Sequence, residues 1–185
     1  MVFIYSNDIG YIVGNPLQVL DTSALLAWPI EKIRDSICST TQIAELEKVD
    51  LNRSLLIETI EINWKTPSSK GLDSAKKAAQ ESGDLARLSD VDLDILAICF
   101  DLQENQSDFE LFSDDYRVQN VAAFAKMKVK SINTKGVSAI WYWEARCTGC
   151  RAVTKLNDNP RRGRKGSVMD CDICGSEMVL KKKRG

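Results

Sequence analysis

The chain has 185 residues, of which 44% are hydrophobic and 28% are charged, and this predicts one ordinary domain with a small appendage. It contains no histidine, which excludes every mechanism that uses an imidazole as base, proton shuttle or metal ligand. No apolar run reaches the roughly 18–20 residues of a membrane-spanning helix, and the first residues lack the pattern of a signal peptide. We therefore expect a cytoplasmic protein without a membrane partner.

The net charge of −1 conceals two regions of opposite sign. Residues 1–140 carry 14 basic and 21 acidic residues, whereas residues 141–185 carry 11 basic and 5 acidic ones. A basic C-terminal region favours contact with a polyanion, although a merely solvated basic surface has the same composition.

Short strands alternate with helices through the first two thirds of the chain. The predicted strands span residues 17–20, 57–64, 109–112 and 129–132. The first predicted helix follows Asp21 directly. The other predicted helices span residues 41–49, 72–82, 90–104 and 116–127. This alternation predicts an α/β domain with a mainly parallel central sheet. We expect that domain at residues 17–133, after an N-terminal extension at 1–16 and before a linker at 134–140.

Carboxylates follow two of these predicted strands directly. Asp21 comes after the first strand, and Asp114 with Asp115 come after the strand at 109–112. Ligands of open α/β sheets bind beyond the carboxyl ends of the strands, so these acids are expected to face one crevice. Each has a structural alternative, because Asp21 can cap a helix and Asp114 and Asp115 can form a turn.

Asp92, on the longest predicted helix, shares a face with apolar residues. Ile95, Leu96 and Cys99 follow it at the third, fourth and seventh positions. A carboxylate drawn toward the core needs a partner or a cation. Asp92 is also the third residue after Ser89, so it can instead complete a capping box.

A crowded set of acids without nearby bases is tolerable where it binds a hard divalent cation. Mg²⁺ and Mn²⁺ prefer carboxylate oxygens and retained water. Beside a phosphate, such ions activate water and stabilise the attacking and leaving oxygens, so the acids predict phosphodiester hydrolysis. Helix periodicity does not decide whether Glu45 or Glu47 joins this set.

Four of the six cysteines form two close pairs near the C-terminus. Cys147-x-x-Cys150 is followed by 20 residues and then by Cys171-x-x-Cys174, which is the spacing of a four-cysteine zinc site. Such an all-thiolate site is closed and therefore structural, and about forty residues are too few to fold without a metal or another cross-link. Two disulfides and an iron site are the alternatives, and disulfides fit a cytoplasmic chain poorly.

A basic loop lies between the two cysteine pairs. Its candidate RNA-binding residues are Arg161, Arg162, Arg164 and Lys165. Together with the aromatic residues at 141–143, this loop favours phosphate contact and base stacking. The alternative for the tryptophans is that they pack around the cysteine turns.

Several motifs resemble the PIN-domain nucleases. They are Val19-Leu20-Asp21-Thr22-Ser23-Ala24, Glu45 in Thr41-Gln42-Ile43-Ala44-Glu45-Leu46, and Ser113-Asp114-Asp115. Longer runs resemble the Nin-one-binding family of ribosome-biogenesis endonucleases in its compact archaeal form. They are Ser82-Gly83-Asp84-Leu85, residues 88–97, and Asp114-Asp115-Tyr116-Arg117-Val118-Gln119-Asn120-Val121-Ala122.

This resemblance implies a PIN domain followed by a rubredoxin-like zinc ribbon at residues 141–185. The catalytic, metal-holding acids that it implies, for one or two Mg²⁺ or Mn²⁺ ions, are Asp21, Glu45, Asp92 and Asp115. Ser113 and Asp114 take auxiliary positions. The implied activity is cleavage of precursor small-subunit ribosomal RNA, within the pre-ribosomal small subunit, to form its mature 3′ end.

Three other functions remain compatible with the sequence. The first is an RNA-binding assembly factor whose PIN-like domain is inactive, against which the complete set of acids argues. The second is a toxin-type PIN ribonuclease, against which the zinc ribbon argues. The third, more distant, is a zinc-ribbon transcription factor, which would prefer duplex DNA over RNA.

Overall fold

The structure is a computed structural model, and it describes residues 15–133, 136, 139–156, 160 and 166–183. The predicted RNA-binding residues Arg161, Arg162, Arg164 and Lys165 lie outside these ranges. So do most residues of the predicted N-terminal extension and of the predicted linker. Among the helices in the described ranges, none combines the length and apolar character needed to cross a bilayer.

A five-stranded parallel sheet forms the centre of the larger domain. Its strands are β1 (Leu17–Leu20), β2 (Ile37–Ser39), β3 (Asn63–Lys65), β4 (Phe109–Phe112) and β5 (Val129–Lys130). They lie in the order β3-β2-β1-β4-β5. The chain moves outward from β1 to β3 and then crosses to the other side for β4, so the topological switch point falls between β1 and β4. The predicted α/β class with a parallel sheet is confirmed.

Helices connect these strands. They are α1 (Thr22–Ala27), α2 (Ile30–Ile33), α3 (Gln42–Val49), α4 (Leu51–Ile57), α5 (Ser69–Ser82), α6 (Asp90–Glu104) and α7 (Tyr116–Phe124), with a 3₁₀ turn at Leu85–Arg87. Helix α5 ends at Ser82, and Gly83 follows as its C-cap with a φ of +83°, the left-handed conformation that favours glycine. Helix α6 begins after Ser89 and has the predicted bounds, because the serine and Asp92 form a complete capping box.

The predicted strand at residues 57–64 is wrong. Ile57 ends helix α4, and only Asn63–Lys65 are extended. The apolar residues of this stretch, including Ile60, Ile62 and Trp64, pack on one hydrophobic cluster from a helix end, a turn and a short strand. The apparent alternation therefore reflects burial of irregular backbone rather than a single pleated strand.

Two predicted elements near the end of this domain are shorter in the structure. Helix α7 stops at Phe124 instead of residue 127, because Lys126 turns the chain with a φ of +59°. The strand predicted to reach residue 132 ends at Lys130. Beyond it, the Asp114 carboxylate accepts hydrogen bonds from the backbone N–H of Ile132 and Asn133, which takes these donors away from the sheet.

The C-terminal domain is a four-stranded antiparallel sheet. Its strands are β6 (Trp143–Cys147), β7 (Val153–Thr154), β8 (Ser167–Asp170) and β9 (Glu177–Lys182), in the order β7-β6-β9-β8. The first cysteine pair comprises Cys147, the last residue of β6, and Cys150 in the turn before β7, whereas both cysteines of the second pair lie in the turn between β8 and β9. The predicted zinc-ribbon fold is confirmed.

The two domains share one hydrophobic core. Leu156 and Met178 of the ribbon belong to the same buried cluster as the apolar faces of α5, α6 and α7. The Gln80 side chain donates a hydrogen bond to the Leu156 carbonyl (3.1 Å). A Cβ at Gly83 would lie only 2.5 Å from the Trp143 carbonyl oxygen, so the ribbon backbone approaches α5 as closely as a glycine allows.

Candidate active site and cysteine centre

Four carboxylates from separate parts of the chain meet at the carboxyl edge of the parallel sheet, each at the N-cap or in the first turn of a helix. They are Asp21 at the N-cap of α1, Glu45 in α3, Asp92 in α6 and Asp115 at the N-cap of α7. Burial, together with the charges of Asp92 and Asp115, raises the pKa of Asp21 to about 6. Burial likewise raises the pKa of Asp92, with added contributions from Asp115 and Glu45. The four acids therefore act on one another as a cluster.

Asp21 is the most buried acid of this cluster. Its Oδ1 atom caps α1 by accepting a hydrogen bond from the Thr22 N–H (2.7 Å). Its Oδ2 atom accepts a hydrogen bond from the Ser113 hydroxyl (2.6 Å). Leu20 and Phe112 are paired across β1 and β4, so the residues that follow them, Asp21 and Ser113, lie side by side. Capping and membership of the cluster are thus compatible roles of one side chain.

Glu45, rather than Glu47, faces the cluster. Glu47 is exposed, whereas Glu45 is half-buried and accepts a hydrogen bond from the Thr22 hydroxyl. Gln42 sets this orientation: its buried amide accepts from the Ser39 N–H (2.7 Å) and donates to the Leu20 carbonyl (3.0 Å). Because Glu45 is three residues after Gln42, it lies on the same face of α3.

Asp92 combines the two roles that its sequence position suggested. Its Oδ2 atom accepts a hydrogen bond from the Ser89 N–H (2.7 Å), and its own N–H donates to the Ser89 hydroxyl (3.1 Å). The side chain is half-buried and lies close enough to Asp21, Glu45 and Asp115 for their charges to act on one another. The capping box therefore holds this carboxylate in the cluster.

The three residues after β4, which are Ser113, Asp114 and Asp115, make different hydrogen bonds. The Ser113 hydroxyl, besides donating to Asp21, accepts a hydrogen bond from the Asp115 N–H (3.1 Å). Asp115 caps α7 through the Arg117 N–H (2.7 Å). The Asp114 carboxylate is engaged elsewhere, since it accepts hydrogen bonds from the Ser131 hydroxyl and from the backbone that follows β5. An auxiliary role of Asp114 through water stays a prediction.

The donor set of this cluster fits a hard divalent cation. The charges that act on Asp21 and Asp92 are those of other carboxylates, which is unfavourable unless a cation is shared. The carboxylates are nevertheless spaced widely: in the described ranges, the cysteine quartet is the only set of three or more such donors within 4.8 Å of one another. Wide spacing suits an ion such as Mg²⁺, which usually keeps several of its waters.

The cysteine quartet is compact. The Sγ atoms of Cys147 and Cys174 lie 3.4 Å apart, and those of Cys150 and Cys171 lie 3.6 Å apart. Tetrahedral zinc with Zn–S bonds of about 2.3 Å needs S···S distances of about 3.8 Å, whereas a disulfide needs about 2.05 Å. The quartet therefore fits zinc, and the disulfide alternative is not what the structure shows.

Two further features adapt the cysteine turns to a shared ion. A Cβ at Gly149 would lie 2.6 Å from the Ser176 hydroxyl, so glycine lets the two turns approach each other. The Ser176 hydroxyl and backbone N–H donate hydrogen bonds to the Cys174 sulfur, which lowers the pKa of this cysteine and favours its thiolate.

Sequence reasoning missed the residues that position the acids. In the sequence, Thr22 and Gln42 stand out only as members of the motifs that resemble PIN-domain nucleases. The available signal was Gln42 itself: an amide three residues ahead of Glu45 lies on the same helix face, and a buried amide needs partners that fix the helix.

Comparison with known proteins gives consistent matches. Residues 18–102 match the family described as the PIN domain of ribonuclease. Ribonuclease VapC1 of Thermoplasma acidophilum is 30% identical over 163 residues, which cover 88% of this chain and 76% of that protein. Endoribonuclease Nob1 of Pyrococcus abyssi is 32% identical over 142 residues, covering 75% and 80%. Endoribonuclease Nob1 of Methanothermobacter thermautotrophicus is 26% identical over 171 residues, covering 90% and 94%.

The parallel sheet, the acids at its carboxyl edge and the domain match together define the class of metal-dependent PIN-domain endoribonucleases. Within that class, the alignments with Nob1 proteins and the C-terminal cysteine ribbon narrow the assignment to one family. The chain belongs to the archaeal-type Nob1 family of PIN-domain endoribonucleases.

Proposed function

We propose that this endoribonuclease cleaves precursor small-subunit ribosomal RNA, within the pre-ribosomal small subunit, to form its mature 3′ end. The observation that carries the proposal is the cluster of Asp21, Glu45, Asp92 and Asp115 beside the Ser113 hydroxyl. The choice of RNA is supported by the relatives named endoribonuclease Nob1, one of which aligns over 94% of its length.

The four acids of the cluster hold one or two Mg²⁺ or Mn²⁺ ions. When bound, such an ion lowers the pKa of a water and neutralises charge on the phosphate under attack. Hydrolysis by in-line attack of water on phosphorus leaves a 5′-phosphate and a 3′-hydroxyl.

The protein contributes fixed carboxylate positions. Ser113, Thr22 and Ser89 each donate a hydrogen bond to one of the acids, so three of the four side chains cannot rotate freely. The N-terminal ends of four helices also point their partial positive charge at the cluster, which offsets part of the repulsion among the acids. Both effects keep the acids in place for a cation and an anionic substrate.

The cysteine quartet binds one Zn²⁺ ion. Its role is to fold the ribbon, since four thiolates leave no open position for a substrate or water. The predicted basic loop at residues 161–165 then contacts RNA near the cleavage site.

Incubation of the full chain with labelled RNA that spans the mature small-subunit 3′ end, in Mn²⁺, tests this function. We expect one main cut by the wild type and a loss of at least about 1000-fold in Asp21→Asn, with RNA binding nearly retained. Products should carry a 5′-phosphate.

Glu45 and Glu47 provide a matched pair on one helix. Glu45→Gln should slow cleavage strongly, whereas Glu47→Gln, which removes the same charge from an exposed position, should cleave like the wild type. Equal rates for wild type and Asp21→Asn would exclude this acid cluster as the active site. RNA binding with no cleavage in any divalent ion would instead favour the inactive assembly factor.

A toxin-type PIN ribonuclease is the second candidate, because the chain also matches proteins named ribonuclease VapC. The two activities differ in the choice of RNA. Cleavage of unrelated RNAs at rates equal to that of the ribosomal precursor would favour the second candidate over our proposal.

A further inference from the structure

A cleft of about 480 Å³ lies directly beside the acid cluster, between the PIN domain and the ribbon. Asp115 belongs to both the acid cluster and the cleft, so the two are continuous. One wall comes from the PIN domain, with Arg87, Tyr116 and Arg117, and the other comes from the start of the ribbon, with Trp141 and Trp143. We call this feature the interdomain cleft.

The cations of the interdomain cleft are available to an anion. Arg117 is exposed, and its guanidinium donates a hydrogen bond to the Arg87 carbonyl (3.1 Å), which brings the two residues together. Within the described ranges neither guanidinium forms a close ion pair, although the charges of both act on the buried carboxylate of Asp84, which also lines the cleft. Two neighbouring guanidinium groups with free N–H donors suit phosphate oxygens.

The aromatic residues of the cleft expose flat apolar surface. Tyr116 is 54% exposed and Trp141 is 40% exposed, so both rings have surface that a stacked base can cover. The Arg87 guanidinium stacks over the Trp143 ring at 4.3 Å, and the Lys182 ammonium lies over the Trp141 ring. Aromatic rings interleaved with cations are the composition of sites that stack unpaired bases and hold the backbone between them.

Two hydrogen bonds with the Asn120 side chain hold the backbone of Trp141. Its N–H donates to the Asn120 side-chain oxygen (2.7 Å), and its carbonyl accepts from the Asn120 amide (2.8 Å). The same amide also donates to the buried carboxylate of Asp84 (2.6 Å). Asn120 is therefore a positioning residue that holds the second wall of the cleft against the first.

We infer that the interdomain cleft binds one or two unpaired nucleotides that flank the scissile phosphate, with Arg87 and Arg117 on phosphate and Tyr116 and Trp141 on bases. The inference rests on the proposed function, because it requires an RNA substrate at the acid cluster. It adds a binding site for single-stranded RNA that is distinct from the basic loop at residues 161–165. A base-paired segment cannot use this cleft, because paired bases do not present their faces to side chains.

Fluorescence anisotropy with a labelled 12-nucleotide oligouridylate tests the phosphate contacts, in an Asp21→Asn background that prevents cleavage. Arg87→Gln with Arg117→Gln should weaken binding at least about tenfold. It should also lower the slope of log affinity against log salt by about 1.4, since each phosphate contact to a single strand contributes roughly 0.7. The charge-matched control is Lys126→Gln with Lys128→Gln, because Lys128 precedes β5 at the opposite edge of the sheet. This control should keep the affinity within about twofold.

Stacking is tested by Trp141→Ala and Trp141→Phe in the same background. The alanine variant should weaken binding about tenfold and the phenylalanine variant should restore most of it, because a ring of either kind stacks on a base. Thermal melting of each variant shows that the fold is intact. If a 12-base-pair RNA duplex loses as much affinity as the single strand in either set of variants, the cleft does not select unpaired nucleotides and the inference is wrong.

Cleavage assays distinguish a failure of this inference from a failure of the proposed function. If the wild type cuts the ribosomal precursor with dependence on Asp21, and the cleft variants bind and cut like the wild type, the inference fails while the function stands. If no RNA is cut but the cleft variants lose affinity for oligouridylate, the proposed function fails and the cleft remains an RNA-binding site. Loss of binding in both the cleft variants and the lysine control would overturn the inference, because the effect would then be one of net charge.

Discussion

The acid cluster and the cysteine quartet are both groups of anionic side chains suited to a metal ion, but they are built differently. The acids lie at the N-caps or in the first turns of four helices that are far apart in sequence, and no three of their oxygens lie as close together as the four sulfurs do. The cysteines come from two tight turns, and all four sulfurs lie within 4.8 Å of one another.

This difference predicts a catalytic role for the acid cluster and a structural role for the cysteine quartet. A closed set of four ligands leaves no position for water or substrate, whereas a wide set of carboxylates leaves room for both. The cysteine turns depend on local sequence, while the acid cluster exists only when β1, β4 and the helices around them are assembled. Changes to the quartet should therefore act on folding, and changes to the acids should act mainly on the reaction.

Loss of the zinc site is expected to have the largest effect on structure. In Cys171→Ser the ribbon should unfold, because structural zinc contributes on the order of 10 kcal/mol to small domains. The zinc content should fall from one ion per chain to nearly none, and limited proteolysis should remove the region after residue 140. Trp141 and Trp143 should become solvated, which their fluorescence reports.

The control for this change is Cys99→Ala, which removes a buried cysteine outside the quartet. It should lower the melting temperature by a few degrees and keep one zinc ion per chain. A Cys171→Ser protein that retains a protease-resistant ribbon would contradict the structural role of the quartet.

A change in the acid cluster should affect the rate far more than the fold. Asp92→Asn keeps a side chain that can cap α6, but it removes one charge from the cluster, so cleavage should fall at least about 100-fold. Asp94→Asn removes the same charge two residues further along the same helix and should leave cleavage within about threefold. Single-turnover rates in Mn²⁺ measure both. Equal losses in the two variants would mean that net charge, rather than position in the cluster, governs the rate.

The parts of the fold that the sequence predicted well have local determinants. Helix α6 was predicted from residue 90 to residue 104 because Ser89 and Asp92 set its start within four residues. The four-cysteine zinc site followed from cysteine spacing alone, and the ribbon fold around it followed from the family resemblance. Strand β2 was missed because its three residues, Ile37–Ser39, are too few for a period of two to be visible.

The parts of the site that could not be predicted depend on tertiary contacts. Periodicity left Glu45 and Glu47 equivalent, and only the family resemblance named Glu45. The physical reason that Glu45 faces the acid cluster is the pair of hydrogen bonds that Gln42 makes with two strand ends. Arg87 and Arg117 belong to no spacing pattern, because they come from separate elements that the docking of the ribbon brings into one cleft. Local patterns therefore gave the ligand types, and the assembled fold decides their arrangement.

Gly83 tests how closely the two domains must pack. Gly83→Ala should cost about 3 kcal/mol, of which about 1–2 comes from the left-handed backbone and the rest from contact with Trp143. Gly166→Ala is the matched control, because its φ is +77° but a Cβ there would meet no described atom within 4 Å. Denaturant unfolding should show the smaller, backbone-only loss in the control. Equal losses in the two variants would show that the approach of Trp143 to α5 contributes nothing.

Asp21→Asn should stabilise the protein when no divalent ion occupies the acid cluster, although it abolishes cleavage. Burial raises the pKa of Asp21 from 3.8 to about 6, so the folded chain binds more protons than the unfolded chain between these values. Stability of the wild type therefore falls as pH rises from about 4 to about 6 and stays lower above pH 6. The ionised carboxylate costs about 3 kcal/mol at neutral pH. The asparagine should recover about 2 of this, because its single amide oxygen can accept from only one of the two donors, the Thr22 N–H and the Ser113 hydroxyl, that the two carboxylate oxygens accept.

Thermal melts from pH 4 to pH 8, without divalent ions other than zinc, measure this effect. Above pH 6 the variant should melt about 5 °C higher than the wild type, and the two should converge near pH 4. Added Mn²⁺ should raise the melting temperature of the wild type and narrow the difference, because the ion then compensates the buried charge. A variant that melts lower than the wild type at pH 7 would show that the hydrogen bonds of the carboxylate outweigh its burial, and the acid cluster would then be a stabilising feature of the fold.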